Sequence, residues 1–317
     1  MADPKPIRVG VIGLGAMGNR IATRLVRQGF NPTVYDVVDV AVRLFTNDVG
    51  GMMSGSPKMV GQCSDIVITV LPTATDLRDV LFGWEGLAKG LRQGGVLIDM
   101  STTEPQATTA LAAQLKERGI DMIDAPAQGT PTEARDGKLT LIVGGDPLVV
   151  ERCHPVLASL ATRIVHAGPI GSGQAGAAIG DFLRGSAILA ATEALCIGQR
   201  FGLDPASLIG IGETLGGVGP WLASTLKTQV LTRRFNSGLA LGHVLKGLDV
   251  TDSVARTVGI HAPLLAACRS AWADAQAAIG LGSDQTELLR WLEAVTVQNP
   301  QRETNEETTD VHKVPTA

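Results

Sequence analysis

The residues that most constrain this chain are VGVIGLGAMGNRIA at positions 9–22, where a hydrophobic strand-like run enters a glycine-rich turn and then a helical pattern. A G-x-G-x-x-G at such a junction is the dinucleotide fingerprint. Gly13 permits the tight turn, Gly15 lets a pyrophosphate approach the backbone, and Gly18 lets the helix sit close, while the first-turn N–H groups face the anion. Leu14, Ala16 and Met17 complete the turn and are candidate cofactor contacts with the glycines. Asp36 closes the next strand-like run, 18 residues after Gly18. A carboxylate there is placed to bind both ribose hydroxyls of NAD and to repel the 2′-phosphate of NADP. NAD is therefore favoured and NADP possible, the nearest basic residue being Arg43.

Strand-like runs at 8–14, 32–36, 65–72, 96–102, 120–126 and 138–145 alternate with helical segments near 17–28, 37–46, 76–90 and 104–118. This rhythm predicts an α/β Rossmann-like domain whose mostly parallel sheet is buried on both faces. Near Gly171 it gives way to helical segments alone, at 174–200, 205–215, 220–232, 238–258, 262–279 and 284–295. The expected organisation is a Rossmann-like domain over 1–171, a long interdomain helix over 172–200, an all-helical substrate and dimerisation domain over 201–298, and a disordered polar tail over 299–317. Asp181, Arg184 and Glu193 argue against a membrane span in the long helix. Its small residues suit close packing on neighbours, and a helix of that length reaches about 40 Å, enough to link two domains.

Composition narrows the class. With 27 Lys+Arg against 31 Asp+Glu the net charge is -4, which gives no electrostatic reason for a nucleic acid or anionic membrane partner. The four cysteines (Cys63, Cys153, Cys196, Cys268) are far apart and form no CxxC, so neither a disulfide framework nor a thiolate metal site is expected. Residues 1–6, MADPKP, carry no apolar signal region, and a cytoplasmic protein is expected. The 38 glycines, about 12% of the chain, exceed the usual ~7%. Gly176, Gly180 and Gly185 fall inside the long helix, where propensity opposes them and close packing or a substrate's bulk is the expected reason.

With the fingerprint, Leu71-Pro72, DMSTTEP at 99–105 and IDAPAQGTPTEARDGKLTLIVGG at 123–145, the sequence resembles the β-hydroxyacid dehydrogenase family. That family includes 3-hydroxyisobutyrate and tartronate semialdehyde dehydrogenases, with imine reductases as relatives on the same scaffold. The resemblance covers residues 7–295. It implies a homodimer or tetramer, and hydride exchange between a nicotinamide and a small substrate in an interdomain cleft. No metal is expected, since His154, His166, His261 and His312 form no metal-ligand spacing and hydride transfer needs none. The resemblance places Ser101 beside nicotinamide and substrate, although Ser101 reads equally as the N-cap of the 104–118 helix. Leu71, Pro72 and Thr75 are further candidate cofactor contacts.

Two matched positions depart from the family pattern. The substrate loop DAPVSGG reads here Asp124 to Thr130, so the family's Ser is Gln128, followed by Gly129 and Thr130 as candidate substrate contacts. The family's GxGxxxKxxNN begins here at Gly171, so its catalytic Lys is Ala177 and its two Asn are Gly180 and Asp181. Asp181 lies one turn beyond Ala177 on the same helical face, where a buried carboxyl is a candidate proton donor or a partner for an iminium nitrogen. The bland alternative is a structural ion pair at the interdomain seam. Lys246 is the remaining candidate cation for a substrate carboxylate or for the cofactor end of the cleft, its family partner Asp being replaced by Gly247. His243 is a second proton-transfer candidate because His titrates near neutrality. Trp221 is read either as an active-site wall or as a core anchor. The expected function is an NAD(P)-dependent dehydrogenase or reductase of small hydroxy acids, semialdehydes or ketones, its protons handled by Asp181, His243 or a water near Ser101, with Ser101 and Lys246 as further candidate catalytic residues. An imine reductase and a nucleotide-binding protein without catalysis are the alternatives.

Overall fold

The computed structural model describes residues 6–297; the tail expected over 299–317 lies outside the described residues. The first half builds one nine-stranded sheet. Its elements run β1 (Val9–Ile12), α1 (Ala16–Arg27), β2 (Thr33–Tyr35), α2 (Asp39–Asp48), β3 (Met52–Met53), α3 (Pro57–Gln62), β4 (Ile66–Thr69) and α4 (Ala74–Phe82). They continue with β5 (Val96–Asp99), α5 (Pro105–Lys116), β6 (Asp121–Asp124), β7 (Ala127–Gln128), α6 (Pro131–Asp136), β8 (Leu139–Gly144), α7 (Pro147–Leu160) and β9 (Ala161–Gly168). The strand order is β3-β2-β1-β4-β5-β6-β8, parallel except where β8 meets β6 and β7, and β9 adds in parallel to β8.

Alternate residues of the central strands enter opposite cores, as the pleat requires. Val9, Val11, Ile66, Ile68, Val96 and Ile98 face one apolar cluster, while Val67, Leu97 and Met122 face the other. Both faces are thus covered, as expected of a sheet wound by helices on either side. The alternation read from sequence stops at 145, yet the chain makes one further strand–helix–strand unit through α7 and β9. Two features mask it. Pro155 lies inside α7, and β9 is an exposed edge strand whose Arg163 and His166 break the apolar run.

The second half is helical: α8 (Ser172–Phe201), α9 (Pro205–Thr214), α10 (Pro220–Thr225), α11 (Leu241–Thr257), α12 (Pro263–Ile279) and α13 (Leu288–Val297). The helix expected over 220–232 divides at Thr225, where five residues from Leu226 widen into a π turn. A separate core centred on Trp272, Leu241, Val244 and Leu248 holds α8, α11 and α12 together. Among the described residues no helix is long and apolar enough to cross a membrane.

Asp124, at the carboxyl end of β6, fastens α8 to the sheet. Its Oδ1 accepts the Gly171 N–H and its Oδ2 the Gln174 N–H, both at 2.7 Å. A buried carboxylate thereby satisfies N–H groups at the positive end of a 30-residue helix. Burial pushes its carboxyl up, and those N–H bonds oppose the shift. Such an approach demands glycine: Gly171 has φ +90°, and a Cβ on Gly173 would stand 2.6 Å from the carbonyl oxygens of Asp124 and Ile142. Gly176 and Gly185 also face close neighbours, at 3.0 Å from Ile142 and 3.1 Å from Val244. Gly180 faces open space, so packing within the chain does not explain it.

Gly173→Ala is therefore expected to lower unfolding free energy in urea by about 1–3 kcal/mol, the cost of overpacking against rigid backbone. Gly210→Ala in α9, where no atom would lie within 4 Å, is expected to raise it by roughly 0.5–1 kcal/mol through helix propensity.

Candidate functional site

A cavity of about 870 Å³ opens at the carboxyl ends of β1, β2 and β4. Chain order reverses between β1 and β4 there, the position at which doubly wound sheets bind ligands. Gly13, with φ +97°, turns the chain beneath the Val70 carbonyl, and a Cβ on Gly18 would strike the Gly13 carbonyl oxygen. Gly15 faces open space and lines the cavity with Ala16 and Met17. Helix α1 starts there with no side-chain cap and no acidic residue in its first turn, leaving backbone N–H groups for an anion. Asp36 lines the rim, its Oδ2 accepting the Leu14 N–H at 2.6 Å and its Oδ1 the Val38 N–H at 2.8 Å. These residues fit a dinucleotide: an anion-binding helix end beside a fixed carboxylate at ribose height.

Leu14 contributes its N–H, while its side chain is buried in the core. Leu71 and Pro72 form the opposite wall, and Thr75 stays exposed in the first turn of α4 while Asp76 faces the cavity. Arg43 is ion-paired with Asp39, and both are exposed. Trp84, not singled out from sequence, stands 89% exposed on the rim.

The inner end is built by hydrogen bonds between distant segments. Ser101 is buried, and its Oγ accepts the Leu71 N–H at 2.9 Å, so it fixes the cavity wall. It does not cap α5: the cap position is Glu104, which makes no side-chain bond. Gln174, also absent from the sequence reading, donates from Nε2 to the Ser101 carbonyl at 2.7 Å and accepts the Thr103 N–H at 3.1 Å. Asp99 accepts from Thr69 and from the Ser101 N–H through Oδ1, its Oδ2 is buried without a partner, and burial raises its pKa. Lys246 reaches across from α11 and donates to the Pro72 carbonyl at 2.8 Å. Burial pulls its ammonium pKa down while Asp99 opposes that shift.

Behind this wall α8 and α11 press together. Thr251 Oγ1 donates to the Ala178 carbonyl at 2.7 Å, and Gly185 lies against Val244. Ala177 is buried, and Asp181, 1% exposed, pairs with Arg184 Nη2 at 2.6 Å. Burial pushes the Asp181 carboxyl up to about 6, against the pull of that guanidinium. A Cβ on Gly247 would come within 2.5 Å of the Asp181 Cβ, which explains why residue 247 is glycine beside this acid. His243 does not titrate near neutrality: burial, then the Arg184 and Lys246 cations, push it down to about 4. It is therefore neutral at pH 7.

The other substrate candidates have local partners of their own. Gln128 ends β7, Gly129 has φ +145°, and Thr130 caps α6 in a reciprocal box with Glu133. Thr130 also approaches Gly238, on the segment preceding α11. Trp221 is half exposed and belongs to no buried core, so it is not the core anchor. Arg184 was legible in principle, standing seven residues after Ala177 and three after Asp181 on one helical face. Among the described residues no cluster of His, Cys, Asp and Glu could hold a metal ion.

Residues 8–168 match the family described as the NAD binding domain of 6-phosphogluconate dehydrogenase. Residues 171–292 match the one described as NAD-binding of NADP-dependent 3-hydroxyisobutyrate dehydrogenase. L-threonate dehydrogenase of Cupriavidus necator is 31% identical over 283 residues, 89% of this chain and 95% of its own length. A solved 3-hydroxyisobutyrate dehydrogenase of Mycobacterium tuberculosis with L-serine has a TM-score of 0.84 at 24% identity, covering 90% of this chain and 99% of its own. An imine reductase variant of Myxococcus stipitatus with NAD+ has a TM-score of 0.62 at 19% identity, with the same coverage. At those identities the two structures speak for the fold.

The raised Asp181 carboxyl has a thermodynamic consequence. Its folded pKa of about 6 exceeds the ordinary carboxyl value of 3.8, so the folded state holds the proton more tightly and its contribution to stability declines as pH rises through that window. Urea denaturation of the parent and of Asp181→Asn at pH 4 and pH 7 is expected to show the parent losing more stability than the variant, by on the order of 3 kcal/mol at most.

Proposed function

This chain belongs to the 3-hydroxyisobutyrate dehydrogenase-like family of NAD(P)-dependent oxidoreductases, and we propose that its substrate is a small hydroxy acid or the corresponding oxo acid or semialdehyde. The observation that carries the reading is Lys246, a cation that bonds the wall of the dinucleotide cavity from the helical half of the molecule. When bound, the nicotinamide supplies or takes up a hydride. Lys246 then holds the proton at the substrate's hydroxyl or carbonyl oxygen, its ammonium made more acidic by burial. Ser101 and Gln174 keep the Leu71-Pro72 wall and the 101–103 loop in register. His243 is neutral at pH 7, and Asp181 is committed to Arg184.

NAD is the proposed cofactor in preference to NADP. The Asp36 carboxylate is held by two N–H bonds at the cavity rim, and Val37 and Val38 beside it offer no cation for a 2′-phosphate. Reduction of a C=N bond is the second reading, favoured by Ala177, which leaves no ammonium on α8 to repel an iminium ion.

A homodimer built on α8 completes the proposal. Ile179, Leu183, Ile197 and Phe201 are exposed along one stripe of that helix, an apolar face that a second copy would cover.

Oxidation and reduction assays with both cofactors are expected to give turnover with 3-hydroxyisobutyrate, L-threonate or a related acid, with NAD(H) preferred. Turnover confined to cyclic imines would replace this reading with the second. Lys246→Ala is expected to lower kcat about 10²–10⁴-fold, and Asp36→Ser to move the kcat/KM ratio toward NADP(H). In sedimentation experiments Leu183→Glu with Ile197→Glu is expected to turn a dimer into a monomer.

A further inference from the structure

We propose that Arg184 is the specificity-determining anchor for the substrate's carboxylate, with Asp181 positioning its guanidinium. The inference rests on the hydroxy-acid reading and adds the group that recognises the acid. Side chains on an α-helix lean toward its N-terminus. Arg184 does so, since its Nη2 meets Asp181 one turn earlier. The guanidinium therefore points back along α8, toward the turn that carries Ala177. Arg184 is held among charges as well: its cation acts on His243, and His243 precedes Lys246 by one turn of α11. Asp181, the partner of Arg184, lies against Gly247, the residue after Lys246, so Arg184, His243 and Lys246 form a row along the α8–α11 contact that leads to the Pro72 wall of the cofactor cavity.

The row carries two cations, Arg184 and Lys246, each with a carboxyl beside it, Asp181 and Asp99, and burial pushes the Asp99 carboxyl toward its protonated form. Arg184 also has donors to spare. Its Nε is buried without a partner, an arrangement that costs free energy unless an acceptor arrives. The side chain remains 21% exposed. A planar guanidinium offers paired donors that match a carboxylate, which a lysine point charge does not. Asp181, at 2% side-chain exposure, fixes the orientation of that fork.

The test compares the best hydroxy-acid substrate of the parent protein with its uncharged primary amide. Losing a charge-assisted hydrogen bond corresponds to roughly a 10–100-fold loss of affinity, so Arg184→Ala is expected to raise KM for the acid by that factor. KM for the amide and the dissociation constant of NADH stay within about twofold. Arg184→Lys is expected to recover part of the loss, and Asp181→Asn to raise KM for the acid without lowering kcat. Melting curves and NADH binding confirm folding; if Arg184→Ala does not fold, Arg184→Gln, close in size and uncharged, takes its place. Equal losses for acid and amide, or an unchanged KM for the acid, overturn the assignment of Arg184 alone. Absence of turnover with any hydroxy acid in the parent protein overturns this inference together with the reading on which it rests.

Discussion

The carboxylate of Asp124 at the head of α8 is the contact on which the rest of the molecule depends. It joins the end of a central strand to the first turn of the helix that supports the second core. Because both oxygens are engaged, the helix is fixed in rotation as well as in place. Rotation decides which side chains of α8 face α11, and so it decides that Asp181 lies under Gly247. Gln174 extends the same anchor sideways, its amide holding both edges of the 101–103 loop. Strand ends, nucleotide wall and substrate-side helix are thereby set by one connected group of buried polar contacts, which in a low-dielectric interior reinforce one another.

Much of the fold was legible because it rests on local patterns. Period-2 strands, helical runs and the glycine turn at 13–18 are written into neighbouring residues, and the cavity stands where those glycines required it. The last strand–helix–strand unit was not legible, since β9 is exposed and its side chains carry no apolar alternation. For the site the division is sharper. Asp36, Leu71 and Pro72 could be placed from motif context, whereas the work of Ser101 depends on Leu71, thirty residues away, and on Gln174, seventy-three residues away. Contacts of that separation leave no periodic trace in a single sequence. Local chemistry also misled at His243, whose ordinary pKa lies near neutrality but whose burial beside two cations holds it neutral.

The polar groups at the junction show how burial and charge share the control of protonation. Asp99, Asp124 and Asp181 are all raised by desolvation, and each is opposed by a different agent: hydroxyl and backbone donors for Asp99, backbone N–H groups of a helix end for Asp124, a guanidinium for Asp181. Three carboxyls of one chemical type thus occupy three electrostatic situations within a short stretch of structure. Lys246 shows the converse, a cation weakened by burial beside an acid that supports it.

The clamp at the start of α8 also divides the helix by its freedom to change in evolution. Gly171 and Gly173 are pinned by backbone oxygens and by the Asp124 carboxylate, so their replacement endangers folding. Ala177, Asp181 and Arg184 lie past that frozen turn, and of these Asp181 is itself packed against Gly247 of α11. A change of charge beyond the clamp therefore leaves the head of α8 in place, and its cost is set locally, by the partner that the side chain meets on α11 or along its own helix.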